Sequence, residues 1–94
     1  MKKKDDHINL LLKRIPENPG VYFDKDGQII YVGKAKNLHR RVNSYFNKDH
    51  QSSKTRQLVS HIADIRYVVV DSEQDAFLLE NNLIKQYQPH YNIL

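Results

Sequence analysis

The 94-residue sequence predicts an α+β domain in which helices flank a small, three-stranded, mainly antiparallel sheet. Four segments carry apolar residues at the three- and four-residue spacing that is typical of amphipathic helices. Two short strand-like segments meet at Asp26-Gly27, a pair favoured in the turns of β-hairpins. A third strand-like segment, 67–70, stands between two of the predicted helices. We therefore expect one small domain over residues 1–94.

The first half of the chain predicts a helix followed by the hairpin. Residues 5–15 carry an apolar stripe formed by Ile8, Leu11, Leu12 and Ile15. Asp5 or Asp6 is suited to the N-cap of this helix. Turn-forming residues follow, and the strands of the hairpin are predicted at 21–23 and 28–32.

The second half predicts three helices and the third strand. Asn37 is a possible cap for a helix whose apolar face contains Leu38, Val42, Tyr45 and Phe46. The polar stretch 47–53 separates it from a third helix, whose inward residues are predicted to be Leu58, Val59, Ile62 and Ile65. Beyond the third strand, Ser72 can cap a long helix that runs through Tyr87 and ends before Pro89.

The composition excludes several classes of function. The chain contains no cysteine, which excludes disulfides, thiolate zinc sites and cysteine nucleophiles. No apolar run reaches the roughly 20 residues that a membrane-spanning helix needs, and no signal peptide follows Met1. We expect a soluble, cytoplasmic, monomeric domain that has no membrane partner.

Positive charge is concentrated in the middle of the chain. Residues 33–66 hold eight lysines and arginines against two aspartates, a net charge of +6, whereas the whole chain carries +4. A basic segment with aromatic neighbours suits a nucleic-acid backbone, because its cations displace condensed counterions. A plain solvated surface is the alternative. The DNA-binding candidates are Lys34, Lys36, Arg40, Arg41, Lys48, Lys54 and Arg56.

Glu80 is the most unusual residue of the long helix. Helical geometry places it at the centre of an apolar face formed by Ala76, Leu83, Ile84 and Tyr87. A carboxylate among apolar side chains needs a hydrogen-bond partner, a counter-charge or a bound cation. A structural ion pair with a lysine or arginine and a metal site are therefore both open at this point.

The hairpin supplies further candidates. Tyr22 and Tyr31 lie on the paired strands and can stand side by side, although tyrosine also suits strands for packing alone. Gly33 permits a close approach of the backbone. The helix N-terminus that we expect directly after it, with Lys34 and Lys36, can receive a phosphate.

The second helix pairs a cation with an aromatic ring. Arg41 lies four residues before Tyr45, so the two side chains are neighbours on the helix surface. Arg41 either reaches into a cleft or covers the core as an ordinary surface arginine. The five histidines show no metal-ligand spacing.

The motifs of the chain resemble those of the GIY-YIG nuclease superfamily. Gly20-Val21-Tyr22 and Tyr31-Val32-Gly33, separated by eight residues, are similar to its paired signature. From about Ile15 onward the chain resembles the family of UvrC N-terminal domains in particular. The segments that carry this resemblance are Pro19-Gly20-Val21-Tyr22, Ile30-Tyr31-Val32-Gly33-Lys34-Ala35-Lys36-Asn37-Leu38, Arg41-Val42, Ser44-Tyr45-Phe46, Leu78-Leu79-Glu80-Asn81-Asn82-Leu83-Ile84-Lys85 and Gln88-Pro89-His90-Tyr91-Asn92-Ile93-Leu94.

The resemblance implies the GIY-YIG fold and a divalent-metal-dependent DNA endonuclease. Tyr31 is similar to the tyrosine that the family uses as the general base toward the attacking water. Arg41 is similar to the arginine that contacts the scissile phosphate. Glu80 is similar to the single carboxylate that binds Mg²⁺ or Mn²⁺. Further residues that match that active site are Tyr22, Lys34, Tyr45 and Asn92.

The resemblance also implies a biological setting. In that setting the domain makes the 3′ incision beside a lesion during nucleotide excision repair. The substrate is damaged double-stranded DNA presented by UvrB, with UvrA acting upstream. We expect the chain to be the N-terminal fragment of a longer, multidomain protein. A non-catalytic DNA-binding or docking module and a GIY-YIG module from another setting are the alternatives, and metal-dependent nicking would separate an enzyme from a binding module.

Overall fold

The computed structural model describes residues 3–46 and 52–93, and within these ranges it shows five helices and one three-stranded sheet. The helices are α1 (Lys3–Arg14), α2 (Leu38–Tyr45), α3 (Ser53–His61), α4 (Glu73–Tyr87) and α5 (His90–Ile93). The strands are β1 (Gly20–Asp26), β2 (Gln28–Ala35) and β3 (Asp64–Val69). The predicted fold, a small antiparallel sheet with flanking helices, is confirmed.

The central strand of the sheet is β1. The strand order is β2-β1-β3, and both neighbours of β1 run antiparallel to it. The hairpin turn contains Gly27 at a φ of 77°, a left-handed conformation in which glycine is favoured. The β1–β2 register shifts between Asp24 and Lys25, so β2 carries one extra residue there.

Both hairpin strands are longer than the sequence pattern predicts. Lys34 pairs with Val21 and Ala35 with Gly20, so β2 continues past Gly33. The expected helix N-terminus at Lys34 and Lys36 is therefore wrong. Antiparallel backbone pairing with β1 determines the extended conformation of this segment, and the periodicity of its side chains gives no sign of that pairing.

The boundary between α3 and β3 also differs from the prediction. Ile62 is the C-cap of α3, so the helix ends earlier than its apolar pattern suggests. Ile65, predicted as an inward residue of that helix, lies on β3 opposite Asp24 and is buried. Short apolar runs fit a helix or a strand equally well, and pairing with β1 decides between them.

Two of the three predicted helix N-caps are present in the structure. The side chain of Asn37 accepts a hydrogen bond from the backbone N–H of Arg40, and that of Ser72 accepts one from Asp75. The prediction for α1 is wrong, because the helix begins at Lys3 and includes Asp5 and Asp6. No helix within residues 3–46 and 52–93 is long and apolar enough to cross a membrane.

Two apolar clusters hold the domain together, one on each face of the sheet. The larger cluster joins the sheet to α1, α2, α3 and α5, and its fully buried members include Tyr22, Leu38, Ile62 and Ile65. The smaller cluster holds α4 against the other face through Val21, Val32 and Ala76. Because α2 and α4 lie on opposite faces, residues from both helices can meet only around the end or edge of the sheet.

Candidate active site at the end of β2

Three tyrosines from three elements form one cluster. Tyr22 comes from β1, Tyr31 from β2 and Tyr45 from α2. Their ring centroids are separated by 6.1 Å (Tyr22 and Tyr31), 5.7 Å (Tyr22 and Tyr45) and 6.2 Å (Tyr31 and Tyr45). Tyr22 pairs with Gly33 and Tyr31 with Asp24, so the two hairpin tyrosines are diagonal neighbours on one face.

Gly33 makes room for the ring of Tyr22. A Cβ atom placed on Gly33 would overlap the phenol end of Tyr22. The sequence predicted a close backbone approach at this glycine, and the partner is Tyr22 within the same domain. Tyr22 is thereby completely buried.

Tyr22 and Tyr45 are held as neutral phenols. Their hydroxyl oxygens lie 2.5 Å apart, one donating a hydrogen bond to the other. Burial raises the pKa of both hydroxyls above the ordinary value, and the neighbouring phenols raise that of Tyr22 further. Both are therefore suited to donate hydrogen bonds near neutral pH. Tyr31 differs in location, since it is only half-buried and lines the pocket.

Arg41 is exposed and lies against this cluster. Its guanidinium carbon is 5.3 Å from the centroid of the Tyr45 ring, a cation–π arrangement. Burial by itself lowers the pKa of Arg41, but the nearby hydroxyls of Tyr22 and Tyr45 outweigh this effect and raise it. Arg41 reaches the cleft, as one of the two sequence interpretations expected, and it stays charged at any pH of interest.

A pocket of about 600 Å³ lies at the end of β2, between α2 and α4. Five of the seven predicted catalytic residues line it: Tyr22, Tyr31, Lys34, Arg41 and Glu80. Tyr45 stands behind Arg41 and contacts the pocket through that side chain and the other two tyrosines. The volume accommodates a hydrated cation together with a phosphate group.

Glu80 projects into this pocket from α4. It is half-buried, and Ala76 on the same helix face is fully buried, but Tyr87 is 48% exposed. The predicted apolar face is therefore only partly enclosed around the carboxylate. Within residues 3–46 and 52–93, no hydrogen bond or ion pair reaches Glu80, so the ion-pair alternative finds no support there.

The donor set fits a hydrated hard cation better than a metal held by a protein cage. The described residues contain no group of three or more histidine, cysteine, aspartate or glutamate side chains that could hold a metal. Mg²⁺ is commonly bound through one or two carboxylates while several waters complete its shell. Glu80, with open space in front of it, satisfies that requirement.

Asn92 acts on the backbone of β2 and does not line the pocket. Its carboxamide oxygen accepts a hydrogen bond from the N–H of Val32 at 2.8 Å, and its nitrogen donates one to the carbonyl oxygen of Val32 at 3.0 Å. These two bonds occupy the free edge of β2 between Tyr31 and Gly33. Asn92 thereby fixes the strand from which Tyr31 projects.

The basic candidates divide into two groups. Lys34, Lys36, Arg40 and Arg41 line the pocket. Lys36 also lies 3.9 Å from Glu73 in an exposed ion pair. Lys54 and Arg56 are exposed on α3 and do not line the pocket, and Lys48 lies outside the described residues.

Sequence reasoning did not single out Asp24. This residue is completely buried, and neither carboxylate oxygen has a hydrogen-bond partner among the residues that the structure describes. Burial raises its pKa to about 7. Alternation along β1 was the available signal, because a residue two positions after the inward-facing Tyr22 shares its face.

The antiparallel sheet with flanking helices, and the hairpin tyrosines that share one pocket with Arg41 and Glu80, are what the class of GIY-YIG domains leads us to expect. Residues 18–93 match the family model of the UvrC-like GIY-YIG domain, and the chain belongs to that family.

Curated relatives agree with this assignment. The chain is 63% identical over 91 residues to UvrABC system protein C of Porphyromonas gingivalis (strain ATCC BAA-308 / W83), a match that covers 95% of this chain and 15% of that protein. It is 61% identical over 94 residues to the protein of the same name from Bacteroides fragilis (strain YCH46), covering 98% of this chain and 16% of that protein. The chain thus spans about 15% of the length of these relatives.

A solved structure shares the whole architecture. The GIY-YIG N-terminal endonuclease domain of UvrC from Thermotoga maritima, bound to its catalytic magnesium, superposes with a TM-score of 0.84 at 42% identity. The match covers 97% of this chain and 98% of that one. Variants of the Thermotoga domain with one tyrosine replaced by phenylalanine, or one asparagine by alanine, are likewise bound to the catalytic divalent cation.

Proposed function

We propose that this domain hydrolyses a phosphodiester bond of DNA with the help of one divalent cation bound at Glu80. The observation that carries the proposal is the pocket itself, which Glu80, a carboxylate with no partner among the residues that the structure describes, lines together with Tyr31 and Arg41. The Thermotoga domain supports it, because tyrosine-to-phenylalanine and asparagine-to-alanine variants of that domain still hold the cation. A carboxylate is then the best remaining candidate for the protein ligand.

The residues around Glu80 divide the chemistry among them. When bound, the cation helps to neutralise the negative charge that develops on the phosphate during hydrolysis. Arg41 contacts a non-bridging oxygen of the same phosphate, since its guanidinium is exposed at the pocket and permanently charged. Lys34 adds a second positive charge to the pocket.

Tyr31 accepts the proton of the attacking water. The water oxygen forms the new bond to phosphorus, one ester P–O bond breaks, and the leaving oxygen is protonated by solvent. The Tyr31 hydroxyl passes its own proton on to solvent as it accepts this one. The positive charges of Lys34 and Arg41, which line the same pocket, offset the negative charge that develops on the phosphate.

The remaining site residues position these groups. Tyr22 and Tyr45, neutral and hydrogen-bonded to each other, hold the guanidinium of Arg41 at the pocket wall. Asn92 holds β2 in place through Val32. These are positioning roles, since Asn92 does not face the pocket and Tyr45 reaches it only through its neighbours.

The family supports a specific setting for this reaction. We propose that residues 1–94 form the N-terminal endonuclease domain of a longer, multidomain protein. Its reaction would be the 3′ incision beside a lesion, on damaged double-stranded DNA that UvrB presents after UvrA has acted. The isolated domain would be monomeric and would work in the cytoplasm. The basic side chains at the pocket, together with Lys48, Lys54 and Arg56, would follow the DNA backbone.

Anomalous scattering from a manganese-soaked crystal of the domain tests the cation site. We expect one strong peak beside the Glu80 carboxylate, and magnesium at millimolar concentration should compete with it. A soak that shows no peak at Glu80, or shows one elsewhere in the domain, would overturn the assignment. Metal-dependent incision by the full-length protein then separates an enzyme from a DNA-docking module with the same surface.

A further inference from the structure

Phe77 is a large aromatic side chain that the folding of this domain leaves uncovered. It is 48% exposed on α4, where Ala76, its neighbour in sequence, is completely buried. The adjacent Leu78 is 52% exposed. Exposed single apolar residues are common on proteins, so the position of Phe77 relative to the pocket decides whether it matters.

Phe77 does not itself line the pocket, but helical geometry places it next to two residues that do. Glu73 and Glu80 both line the pocket, and Phe77 lies four residues after the first and three before the second. Residues at these spacings are neighbours on one helix face, with Cβ atoms roughly 5–6 Å apart. Phe77 is about 60° from Glu80 around the helix axis, whereas Leu78 is about 160° away and faces outward.

We propose that Phe77 stacks on a nucleobase next to the scissile phosphate. The proposal rests on the function argued above, because it needs that phosphate in front of Glu80 and Arg41. Its chemistry combines two observations: the pocket supplies cations for the phosphate, and Phe77 is an exposed aromatic ring on the helix that carries Glu73 and Glu80. Every base has a π-face, so stacking of this kind holds a nucleotide without reading its sequence.

Such a contact would contribute to positioning the reacting bond. A base that is partly unstacked from its neighbours can lie on the ring of Phe77 while its phosphate lies at the cation. The geometry then favours DNA in which a base beside the incision is free to leave the stack, as near a distorted or damaged site.

A cycle of protein and DNA changes tests the contact. The full-length protein with its partner proteins is assayed for single-turnover incision, as parent and as Phe77→Ala, on normal DNA and on DNA abasic at either nucleotide flanking the cut. We expect Phe77→Ala to lower kcat/KM about 5- to 100-fold on normal DNA. On DNA lacking the stacked base, the same substitution should cost almost nothing more.

Two further variants separate stacking from other roles. Phe77→Tyr should keep the parent rate because the ring is retained, whereas Phe77→Leu should behave as Phe77→Ala. Leu78→Ala, matched in exposure but on the outward side of α4, should incise as the parent does. Equal losses for Phe77→Ala and Leu78→Ala, or a Phe77→Ala loss that persists on both abasic substrates, would overturn the proposal and assign Phe77 to a protein contact.

The same assay distinguishes this proposal from the proposed function. If Glu80→Gln incises normally, the cation site is wrong and the basis for the Phe77 contact is lost with it. If Glu80→Gln is inactive and Phe77→Ala incises at the parent rate on every substrate, the function stands and only the stacking contact fails.

Discussion

Glu80 and Asp24 are both carboxylates without a partner among the described residues, yet their surroundings differ. Glu80 is half-buried at a pocket that also contains Lys34 and Arg41. Asp24 is completely enclosed on the central strand, two residues after Tyr22 and opposite Ile65. An unpartnered carboxylate therefore indicates a cation only where the ion and its waters have room. In a closed apolar site burial favours the protonated form instead, and it raises the pKa of Asp24 to about 7.

The comparison separates effects on activity from effects on stability. Changing Glu80 should affect cation binding and incision while leaving the fold largely unchanged. Changing Asp24 should alter the free energy of unfolding and its dependence on pH.

Replacing Glu80 should have the largest consequence. Glu80→Ala or Glu80→Gln should abolish divalent-cation binding and incision together, because the other carboxylate that lines the pocket, Glu73, is exposed and lies near Lys36. Without metal, the alanine variant should be as stable as the parent or slightly more so, since the desolvation cost of the charge is removed. Thermal unfolding with chelator and with excess manganese measures both properties.

A matched control lies on the same helix. Glu73 also lines the pocket but is exposed and lies near Lys36, so Glu73→Gln should retain the manganese-dependent rise in Tm. If Glu80→Ala instead loses about 3–5 kcal/mol in the absence of metal, the carboxylate is one member of a buried ion pair and the contrast with Asp24 disappears.

Tyr31→Phe should have the second-largest effect on incision. Only the hydroxyl is lost from a strand position that still suits an aromatic ring, so fold and cation binding should be retained. Loss of the proton-transfer role should lower the single-turnover rate of incision by about 10²- to 10⁴-fold. A near-parental rate in the full-length protein with UvrB would move the base role to another group.

Asp24 should make the domain less stable as the pH rises. Its folded-state pKa of about 7 is above the ordinary value of 3.8, so the folded protein binds this proton more tightly than the unfolded chain does. The stabilising contribution is fully present below pH 4 and is lost as the pH rises through 7. Over the whole window the loss is about 4 kcal/mol.

Comparing the parent with Asp24→Asn isolates this effect, because asparagine has nearly the same size and does not titrate. Urea denaturation at several pH values should show the variant gaining stability relative to the parent between pH 5 and 8. Asp64→Asn provides a control that should stay constant over this range. Although burial opposes it, hydrogen bonds from His7 and Arg66 lower the pKa of Asp64, so its contribution is lost only as the pH falls below the ordinary value of 3.8. A constant difference between the parent and Asp24→Asn across this range would show that Asp24 has a charged partner.

The remaining DNA-binding candidates, Lys48, Lys54 and Arg56, should give the smallest effect. Alanine at Lys48, Lys54 and Arg56 together should weaken DNA binding similarly for all sequences and leave cation binding unchanged. The slope of log K against log salt should become shallower by up to about 2–3, as expected for three lost phosphate contacts. An unchanged slope would assign these side chains to ordinary surface.

The sequence alone was sufficient for features that local chemistry controls. The hairpin depends on Asp26-Gly27, and the start of α4 depends on the hydroxyl of Ser72, so both could be predicted from neighbouring residues. The placement of Glu80 on one face of α4 follows from helical geometry in the same way. The roles of the site residues came from the resemblance to a family and remain predictions.

Pairing between distant segments decided the rest. Ile65 belongs to β3 and Lys34 to β2 because both pair with β1, a relationship that no local pattern contains. The burial of Asp24 likewise depends on both neighbouring strands and on the helices that cover them. The helical pattern of α4 could not predict that Glu80 is only partly buried. Its exposure depends on the pocket that residues of α2 and β2 line together with α4. Helix periodicity reports which residues share a face, and only the packed structure determines whether that face is closed to water.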